Sequence, residues 1–321
     1  MGYDLLVSCM SPPTGDCADN ILNYADKGLW NPNTREIHYI GQGHGGRELK
    51  FITYNDASGK WTREAKPEWD CSPAQGCYSL VHGYEATTLD PATGNIYARK
   101  FNSTAVYKWT RSSKTWTQLP AAPNPAVAVA LQYFPEMGGV VLVGGGEVHF
   151  YSESQAKWTT LATGLAMGPY HNVASYNALY KAVILGGGND SSSLYKLTSS
   201  GALGVIAAAP AAVAVGTSLF TVDPASGKHL LFSVSGGFFE YDVVSNRWNT
   251  LSTSGVPILR SGSYAVDDRV AIAISTYGLI AFLVFDGSDS TKMYLYRHAP
   301  GGSAAPPDTT PPSVPKGLTV Q

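Results

Sequence analysis

The sequence has few charged residues and no long apolar run. Only 14% of its 321 residues are charged, with 22 basic against 24 acidic side chains and a net charge of −2. Nucleic-acid binding depends on clustered Lys and Arg, so this balance argues against a DNA or RNA partner. No run of about 18 apolar residues exists, which argues against a membrane-spanning helix. The sequence gives no signal for an oligomeric state.

Cysteine is also scarce. The four cysteines form two close couples, Cys9 with Cys17 and Cys71 with Cys77. Neither couple has C-x-x-C spacing and no histidine follows at zinc-finger spacing, so a structural zinc site is not indicated. Two local disulfides are the preferred interpretation, and they imply an oxidising compartment. Other pairings among the four cysteines, or four buried free thiols, remain open.

Turn-forming and aromatic residues are abundant instead, with 34 Gly, 20 Pro, 7 Trp, 19 Tyr and 10 Phe. This composition indicates many short strands joined by turns. A turn marker recurs at intervals of 44, 43, 46 and 44 residues, at Asp90, Phe134, Asn177, Asp223 and Asp267. Such a period accommodates four short strands with their turns, which is one blade of a β-propeller.

Aromatic and glycine markers follow the same period. Trp61, Trp116, Trp158 and Trp248 end four units, and Leu203 takes this place in another. Glycine pairs follow the second strands at 144–145, 187–188 and 236–237. Tyrosines follow at Tyr54, Tyr107, Tyr151, Tyr195 and Tyr241. Over roughly residues 20–300 this pattern resembles the kelch family. The resemblance implies a propeller and leaves the activity open.

We therefore predict an all-β propeller over residues 1–300, with six or seven four-stranded antiparallel blades. The blade number is open because "DLLVSC" and "KMYLYRH" could close one blade together or complete a seventh. Residues 301–321 form a Pro/Thr-rich linker, whose "PPSVPKGLTV" resembles the start of a fibronectin type III module. That resemblance implies a secreted or cell-surface bacterial protein acting on polymers.

One motif has a second interpretation. Gly41, Gly43 and Gly46 spell the G-x-G-x-x-G spacing of a dinucleotide-binding loop. That loop requires a helix directly after the glycines. The strand-like "LKFITY" follows instead, and other units have glycines at the same place. We interpret these glycines as permitting positive φ and close approach between blades.

The candidate site lies where the innermost strands begin, because these strands line the propeller axis. His82 and His171 hold equivalent positions in the second and fourth units, each beside a tyrosine. We predict these two as catalytic. The predicted substrate-binding residues are His44, Arg47, Tyr84, Tyr170, Asn172, Arg260 and Tyr264. Each has a structural alternative, as a hydrogen-bonded histidine, an ion-paired arginine or a packing aromatic. His38, His149, His229 and His298 are interpreted as structural.

These residue types suit β-elimination on a uronic-acid polysaccharide. Histidine and tyrosine supply the base and the acid, and arginine grips the carboxylate. The sequence resembles propeller-shaped polysaccharide lyases in fold and residue types, although no motif matches them. In this hypothesis His82 and His171 are the acid and base groups that act on the substrate. Arg260 and His44 contact the carboxylate, and no cofactor is required.

Two alternatives stay open. The propeller could bind glycans or proteins without catalysis, as an adhesion module. Alternatively, His44, His82 and His171 could hold Cu, Fe or Zn in a metal oxidase. A glycoside hydrolase is disfavoured, because it needs two facing carboxylates and only Glu85 is well placed.

Overall fold

The described residues form an all-β structure. The computed structural model describes residues 27–42, 49–70, 79–80, 83, 85–123, 127–233, 235–254, 256, 269–285 and 291–298. Within them the chain folds into six antiparallel sheets, five with four strands and one with three. The only helical element in this part of the chain is a single 3-10 turn, Pro135–Met137. The prediction of an all-β propeller is confirmed, with six blades.

Each sheet is one blade, and its strands follow the chain from the axis outward. Blade one contains β1 Leu29–Asn31, β2 Glu36–Gly41, β3 Lys50–Asn55 and β4 Lys60–Arg63. Blade two contains β5 Thr87–Leu89, β6 Ile96–Arg99, β7 Val106–Thr110 and β8 Thr115–Gln118. Blade three contains β9 Ala130–Phe134, β10 Gly139–Gly144, β11 Glu147–Ser152 and β12 Lys157–Ala162.

The second half of the ring repeats this order. Blade four contains β13 Asn172–Asn177, β14 Ala182–Gly187, β15 Leu194–Thr198 and β16 Leu203–Val205. Blade five contains β17 Ser218–Val222, β18 His229–Ser233, β19 Phe238–Asp242 and β20 Arg247–Thr250. Blade six contains β21 Arg269–Ile274, β22 Leu279–Phe285 and β23 Thr291–Tyr296. We call the side where inner strands begin the upper face, near Ala128, His171 and Val215, and the opposite side the lower face, near Pro91 and Pro224.

The turns between first and second strands form because their sequences carry the necessary side chains. Asp90 accepts hydrogen bonds from the backbone N–H of Ala92 at 2.9 Å and from the hydroxyl of Thr93 at 2.5 Å. Gly94 then takes φ +74°, a left-handed conformation that favours glycine. Asp223 and Gly227 repeat this arrangement in blade five. The Asp-Pro-x-x-Gly pattern is therefore the local cause of these turns.

The core lies between blades, in six apolar clusters for six interfaces. Val141 of blade three, for example, packs with Val183 and Leu185 of blade four. The interface between blades six and one is filled in the same way, by Ile272 and Leu283 against Tyr39. The ring is therefore closed by apolar burial at every interface, which brings distant parts of the chain to one axis.

The glycine-rich turns bring neighbouring blades into backbone contact. Gly187 has φ +60°, and a Cβ there would lie 1.9 Å from the carbonyl oxygen of Val213, in the segment leading to blade five. The following residue, Gly188, donates its N–H to that same carbonyl at 2.8 Å. In blade one, β2 ends at Gly41 and β3 begins at Lys50, so the first element that the structure describes after the G-x-G-x-x-G motif is a strand. Gly43 and Gly46 lie outside the described residues, so the structural interpretation of this motif stays a prediction.

The tryptophan markers lie on outermost strands, as the repeat pattern predicted. Trp61, Trp158 and Trp248 pair across strands with Tyr54, Tyr151 and Tyr241. In blade two, however, Trp116 faces Trp109 instead of Tyr107, and in blade four Leu203 faces Leu197 instead of Tyr195. The tyrosine alignment was therefore correct in three blades and two residues out of register in the other two.

The sixth unit departs from the predicted pattern. The sequence placed a turn between its first two strands at Asp267, which lies outside the described residues. The structure makes β21 the inner strand, and residues 275–278 connect it to β22. The "KMYLYRH" segment supplies β23, the third strand of blade six, so the seven-blade alternative is wrong. The "DLLVSC" segment lies outside the described residues.

Two outer tryptophans also join successive blades. The indole N–H of Trp158 donates to the carbonyl of Pro120, in the chain leaving blade two, at 2.8 Å. Trp248 makes the same contact with Ala207, leaving blade four, at 3.0 Å. For Trp61, the described residues provide no such acceptor.

Replacing one of these tryptophans tests the contribution of the contact. We expect Trp158→Phe to lower the free energy of unfolding by about 2 kcal/mol, because a buried ring shrinks and a hydrogen bond is lost. Trp61→Phe, at the equivalent and more exposed place, should cost less than about 1 kcal/mol. Urea unfolding monitored by circular dichroism measures both values, and equal losses would contradict the proposed contribution.

Candidate functional site

His171 lies at the inner rim of the upper face, directly before β13. Its φ is +64°, a left-handed conformation in which His is enriched among non-glycine residues. Its backbone N–H donates to the carbonyl of Ala128 at 2.9 Å, and its carbonyl accepts from Val215 at 3.3 Å. These bonds connect it to the segments leading into blades three and five, so its backbone position is fixed from both sides.

The imidazole of His171 is oriented and neutral. Its Nδ1 lies 2.6 Å from Oδ1 of Asn189, an atom that only accepts hydrogen bonds. Nδ1 therefore carries the hydrogen of the neutral ring, and Nε2 has the lone pair. Burial lowers the pKa of His171 below its usual 6.5, against the raising effect of the Asn189 hydrogen bond. The ring is therefore a base near neutral pH.

The two neighbours of His171 differ in accessibility. Tyr170 is 42% exposed, and its ring meets the imidazole edge-on at a centroid distance of 5.1 Å. Asn172 is fully buried, and its amide donates to the carbonyls of Gly168 and Gly187 at 3.1 Å each. Tyr170 is therefore accessible to a ligand. Asn172 holds the turn of blade four in place, and the substrate contact predicted for it has no support in this arrangement.

The remaining predicted site residues lie outside the described part of the chain. They are His44, Arg47, His82, Tyr84, Arg260 and Tyr264, and the four cysteines lie outside it as well. Their described neighbours in blades one and two do meet. Oε1 of Gln42 accepts the N–H groups of Ser79 and Leu80 at 3.1 and 3.0 Å. In addition, a Cβ on Gly83 would lie 3.8 Å from the Cα of Gly41.

Turns after second strands lie on the upper face. In blade four, Asn172 at the start of β13 pairs with Gly187 at the end of β14. The same antiparallel order in blade one places the end of β2, at Gly41, on that face. The turn that contains His44 follows β2 and lies outside the described residues.

The four histidines interpreted as structural are buried with polar partners. His38 bonds Thr53 at 2.9 Å and His298 bonds Glu240 at 2.8 Å. His149 lies 3.1 Å from the hydroxyl of Thr160, and His229 lies 3.1 Å from the amide of Asn177. Each is at most 3% exposed, apart from His298 at 5%. They belong to the blade interiors and do not contribute to the upper face.

An axial charge cluster was missed by the sequence interpretation. Nζ of Lys27 bonds Oε2 of Glu85 at 3.1 Å and Oε1 of Gln132 at 3.0 Å. It also donates to the carbonyls of Leu131 and Ala174, at 3.1 and 3.2 Å. A single lysine before a short strand gives no local signal for this cluster, since its partners come from blades two, three and four.

Glu85, noted from sequence as a well-placed carboxylate, is committed to this cluster. Desolvation raises its pKa above 4.5, while the attraction of Lys27 and the N–H of Ala174 act in the opposite direction. A buried carboxylate with these partners is not available as one of the two facing carboxylates of a glycoside hydrolase. Its geometry supports the earlier argument against that class.

A cavity of about 400 Å³ follows the axis on the lower-face side of Lys27. The inner strands of all six blades line it, and exposed Leu179 and Ser275 lie at its mouth. The described residues thus offer two candidate sites, the His171 rim above and this cavity below.

Metal and membrane sites were also considered. Among the described residues, no group of three or more His, Cys, Asp or Glu side chains is arranged to hold a metal ion. His44 and His82 lie outside those residues, so the three-histidine metal hypothesis stays a prediction. Across the ranges that the structure covers, no helix is long and apolar enough to cross a membrane.

Comparisons with known proteins identify the fold alone. No protein-family model matches the chain, and no curated protein matches it in sequence. Among solved structures, a propeller chain in the crystal structure of a nidogen/laminin complex is similar, with a TM-score of 0.52 and 9% identity. The match covers 72% of this chain and 80% of that chain. At this identity the likeness supports the propeller architecture and carries no function.

The axial ion pair generates a stability prediction. Lys27→Met leaves Glu85 buried without its counter-charge, so we expect the free energy of unfolding at pH 7 to fall by about 3–5 kcal/mol. The pKa of Glu85 would rise further, so the folded variant would bind a proton that the unfolded chain releases. Its stability should therefore increase as pH falls toward 4.5.

The double variant Lys27→Met/Glu85→Gln is the matched control, since the amide oxygen can still accept the Ala174 N–H. It should recover most of the lost stability. It should also lack the pH dependence of the single variant, because glutamine does not ionise. Urea unfolding at pH 7 and pH 5 distinguishes the variants. A single variant as stable as the wild type at pH 7 would contradict an axial role for the pair.

The buried histidines generate a second pH prediction. Burial lowers the pKa of His229 to about 3 and that of His38 to about 4. Unfolded histidine ionises near 6.5, so below that pH the unfolded chain binds more protons, and stability is lost as pH falls. We expect a slope of about 1.4 kcal/mol per pH unit from each histidine. His38→Gln should make the slope shallower, by up to that amount at the acidic end, in urea unfolding between pH 6.5 and 5, and an unchanged slope would contradict the prediction.

Proposed function

We propose that the protein binds an acidic polysaccharide at its upper face and cleaves it by β-elimination, with His171 as a proton-transfer group. The observation that carries this proposal is the oriented, neutral imidazole of His171 at the inner rim, beside exposed Tyr170. A ring with its Nδ1–H held by Asn189 presents its basic nitrogen, Nε2, in one defined direction.

The chemistry assigns each proton and bond. The base removes the proton on C5, which is acidic because it lies next to the uronate carboxyl group. The electron pair of that C–H bond forms the C4–C5 double bond, and the C4–O bond breaks. The departing glycosidic oxygen takes a proton from the acid and leaves as an alcohol. We assign the base to His171 and the acid to His82, so no oxidant or cofactor enters the balance.

Carboxylate recognition belongs to other predicted residues. Neutralising the uronate carboxylate lowers the barrier to forming the carbanion-like transition state. We assign this part to Arg260 and His44, with Arg47, Tyr84 and Tyr264 lining the sugar path. Among the described residues, we assign Tyr170 to stack its ring against the polymer, because its side chain is exposed at the rim.

The catalytic test replaces His171 without disturbing its backbone. Asparagine tolerates left-handed φ, so His171→Asn removes the imidazole while keeping a residue suited to +64°. We expect kcat on a cleaved acidic polysaccharide to fall at least about 100-fold, the usual contribution of a general base or acid. The melting temperature should stay close to that of the wild type.

The assay follows the ultraviolet absorbance of the unsaturated uronate product on polygalacturonate, alginate, hyaluronan and heparin. His149→Gln, a buried histidine away from the rim, is the control for loss of an imidazole elsewhere. If the wild type binds one of these polymers without forming the product, the non-catalytic alternative is correct. If none binds, the proposed recognition of an acidic polysaccharide at the upper face is wrong.

The pH dependence gives a further check on any measured activity. Because burial lowers the pKa of His171 below 6.5, the imidazole stays neutral down to more acidic pH than a free histidine. We expect kcat/KM to be insensitive to His171 ionisation near neutral pH and to fall only below that range. Asn189→Ala, which removes the Nδ1 acceptor, should reduce kcat more than binding.

A further inference from the structure

The axial cavity has the size and composition of a small-molecule site. Its volume of about 400 Å³ lies within the range of ligand pockets, roughly 300–1,000 Å³. Lys27 and Glu85 lie at its inner end, and its mouth faces the lower side. Four blades place a proline within two residues of the end of the inner strand at this mouth, namely Pro32, Pro91, Pro135 and Pro224.

One tier of the cavity receives a residue from every blade. It lies two positions before the residue at which each inner strand passes into its turn, namely Asn31, Asp90, Phe134, Asn177, Asp223 and Ser275. Its members are Leu29, Thr88, Gln132, Ser175, Thr221 and Ala273. Three hydroxyl groups and one amide therefore face a common axis, while the remaining two positions are apolar. The polar tier lies between a charged inner end and an apolar mouth.

Two of these hydroxyls have unused hydrogen-bonding capacity. Ser175 is 9% exposed and Thr221 is 6% exposed. Within the described residues neither hydroxyl has a hydrogen-bond partner, whereas Thr88 accepts the N–H of Tyr133 at 2.8 Å. Buried polar groups are normally paired, because an unpaired one costs free energy. The hydroxyls of blades four and five are therefore available for directional contacts with a ligand.

The aromatic groups around the cavity direct their polar atoms to protein partners. Trp30 donates its indole N–H to Thr276 at 3.3 Å, and Tyr176 donates its hydroxyl to Glu136 at 3.0 Å. Ring and proline surfaces thus form much of the wall. A ligand suited to this cavity has hydroxyl groups on some edges and C–H surface elsewhere. The ion pair between Lys27 and Glu85 balances the charge at the inner end, which favours a neutral ligand.

We propose that the axial cavity binds one neutral sugar ring, entering from the lower face, with Ser175 and Thr221 as its hydrogen-bonding residues. This site is separate from the proposed cleavage site, because His171 lies on the upper face and the cavity mouth lies on the lower face. Its ligand class also differs, since the upper face is assigned to an acidic polymer.

The test uses the methyl glycosides of glucose, galactose, mannose and rhamnose as probes. Saturation-transfer NMR and calorimetric titration of the full chain should show binding of at least one. The variant Ser175→Ala/Thr221→Val removes both hydroxyls with little change in shape. We expect it to weaken binding about tenfold or more, the effect of one lost hydrogen bond or greater. Thr62→Val, an exposed threonine on β4, is the matched control and should bind normally.

A filling variant checks the location independently. Ala273→Leu occupies the same tier from blade six without removing either hydroxyl, and it should abolish binding while the melting temperature stays near that of the wild type. His171→Asn should leave sugar binding unchanged, which separates this site from the cleavage hypothesis. Absence of binding by all four glycosides, or equal binding by the double variant, would overturn the proposal. Cyclohexanol binding as tightly as the glycosides would overturn the sugar assignment.

Discussion

The hydrogen bonds of the Lys27 ammonium group hold the inner edges of the blades together at the centre of the ring. It reaches partners in blades two, three and four, while its backbone bridges to Ala271 in blade six. The innermost edges of propeller blades carry backbone groups with no further strand to pair with. Lys27 and Glu85 supply partners for some of these groups, including both the carbonyl and the N–H of Ala174. A buried ion pair adds little net stability, so its contribution is to specify how the inner edges meet.

Apolar burial closes the ring, and the two faces of the ring carry different polar groups. The six interface clusters hold the blades at fixed relative positions, so residues from distant parts of the chain share one axis. On the upper face this rigidity holds His171 by its backbone and its ring. On the lower side it arranges one residue per blade around a cavity. Both proposals therefore rest on side chains positioned by strands of the scaffold, which favours precise geometry.

The sequence predicted the structural features that depend on residues close together in the chain, such as turns and strand order. The turn at Asp90 could be foreseen because its partners Ala92 and Thr93 lie within three positions, and the tryptophan spacing located the outer strands. Blade six was misaligned because its turn, in "ISTYGL", lacks the Asp-Pro signal. The Lys27 cluster joins residues 58 to 147 positions apart, and no local pattern encodes such contacts. His171 was singled out because the sequence interpretation treated it as equivalent to His82, which lies outside the described residues, whereas Ser175 and Thr221 look like ordinary strand residues.

The bridge between Lys27 and Ala271 also bears on how the protein folds. Blade one cannot complete its inner contacts until the strand of blade six has been made, so the hub assembles only after nearly the whole propeller has left the ribosome. Contacts between residues this far apart in the sequence slow folding. The contact between blades one and six can form only after the last blade has been synthesised.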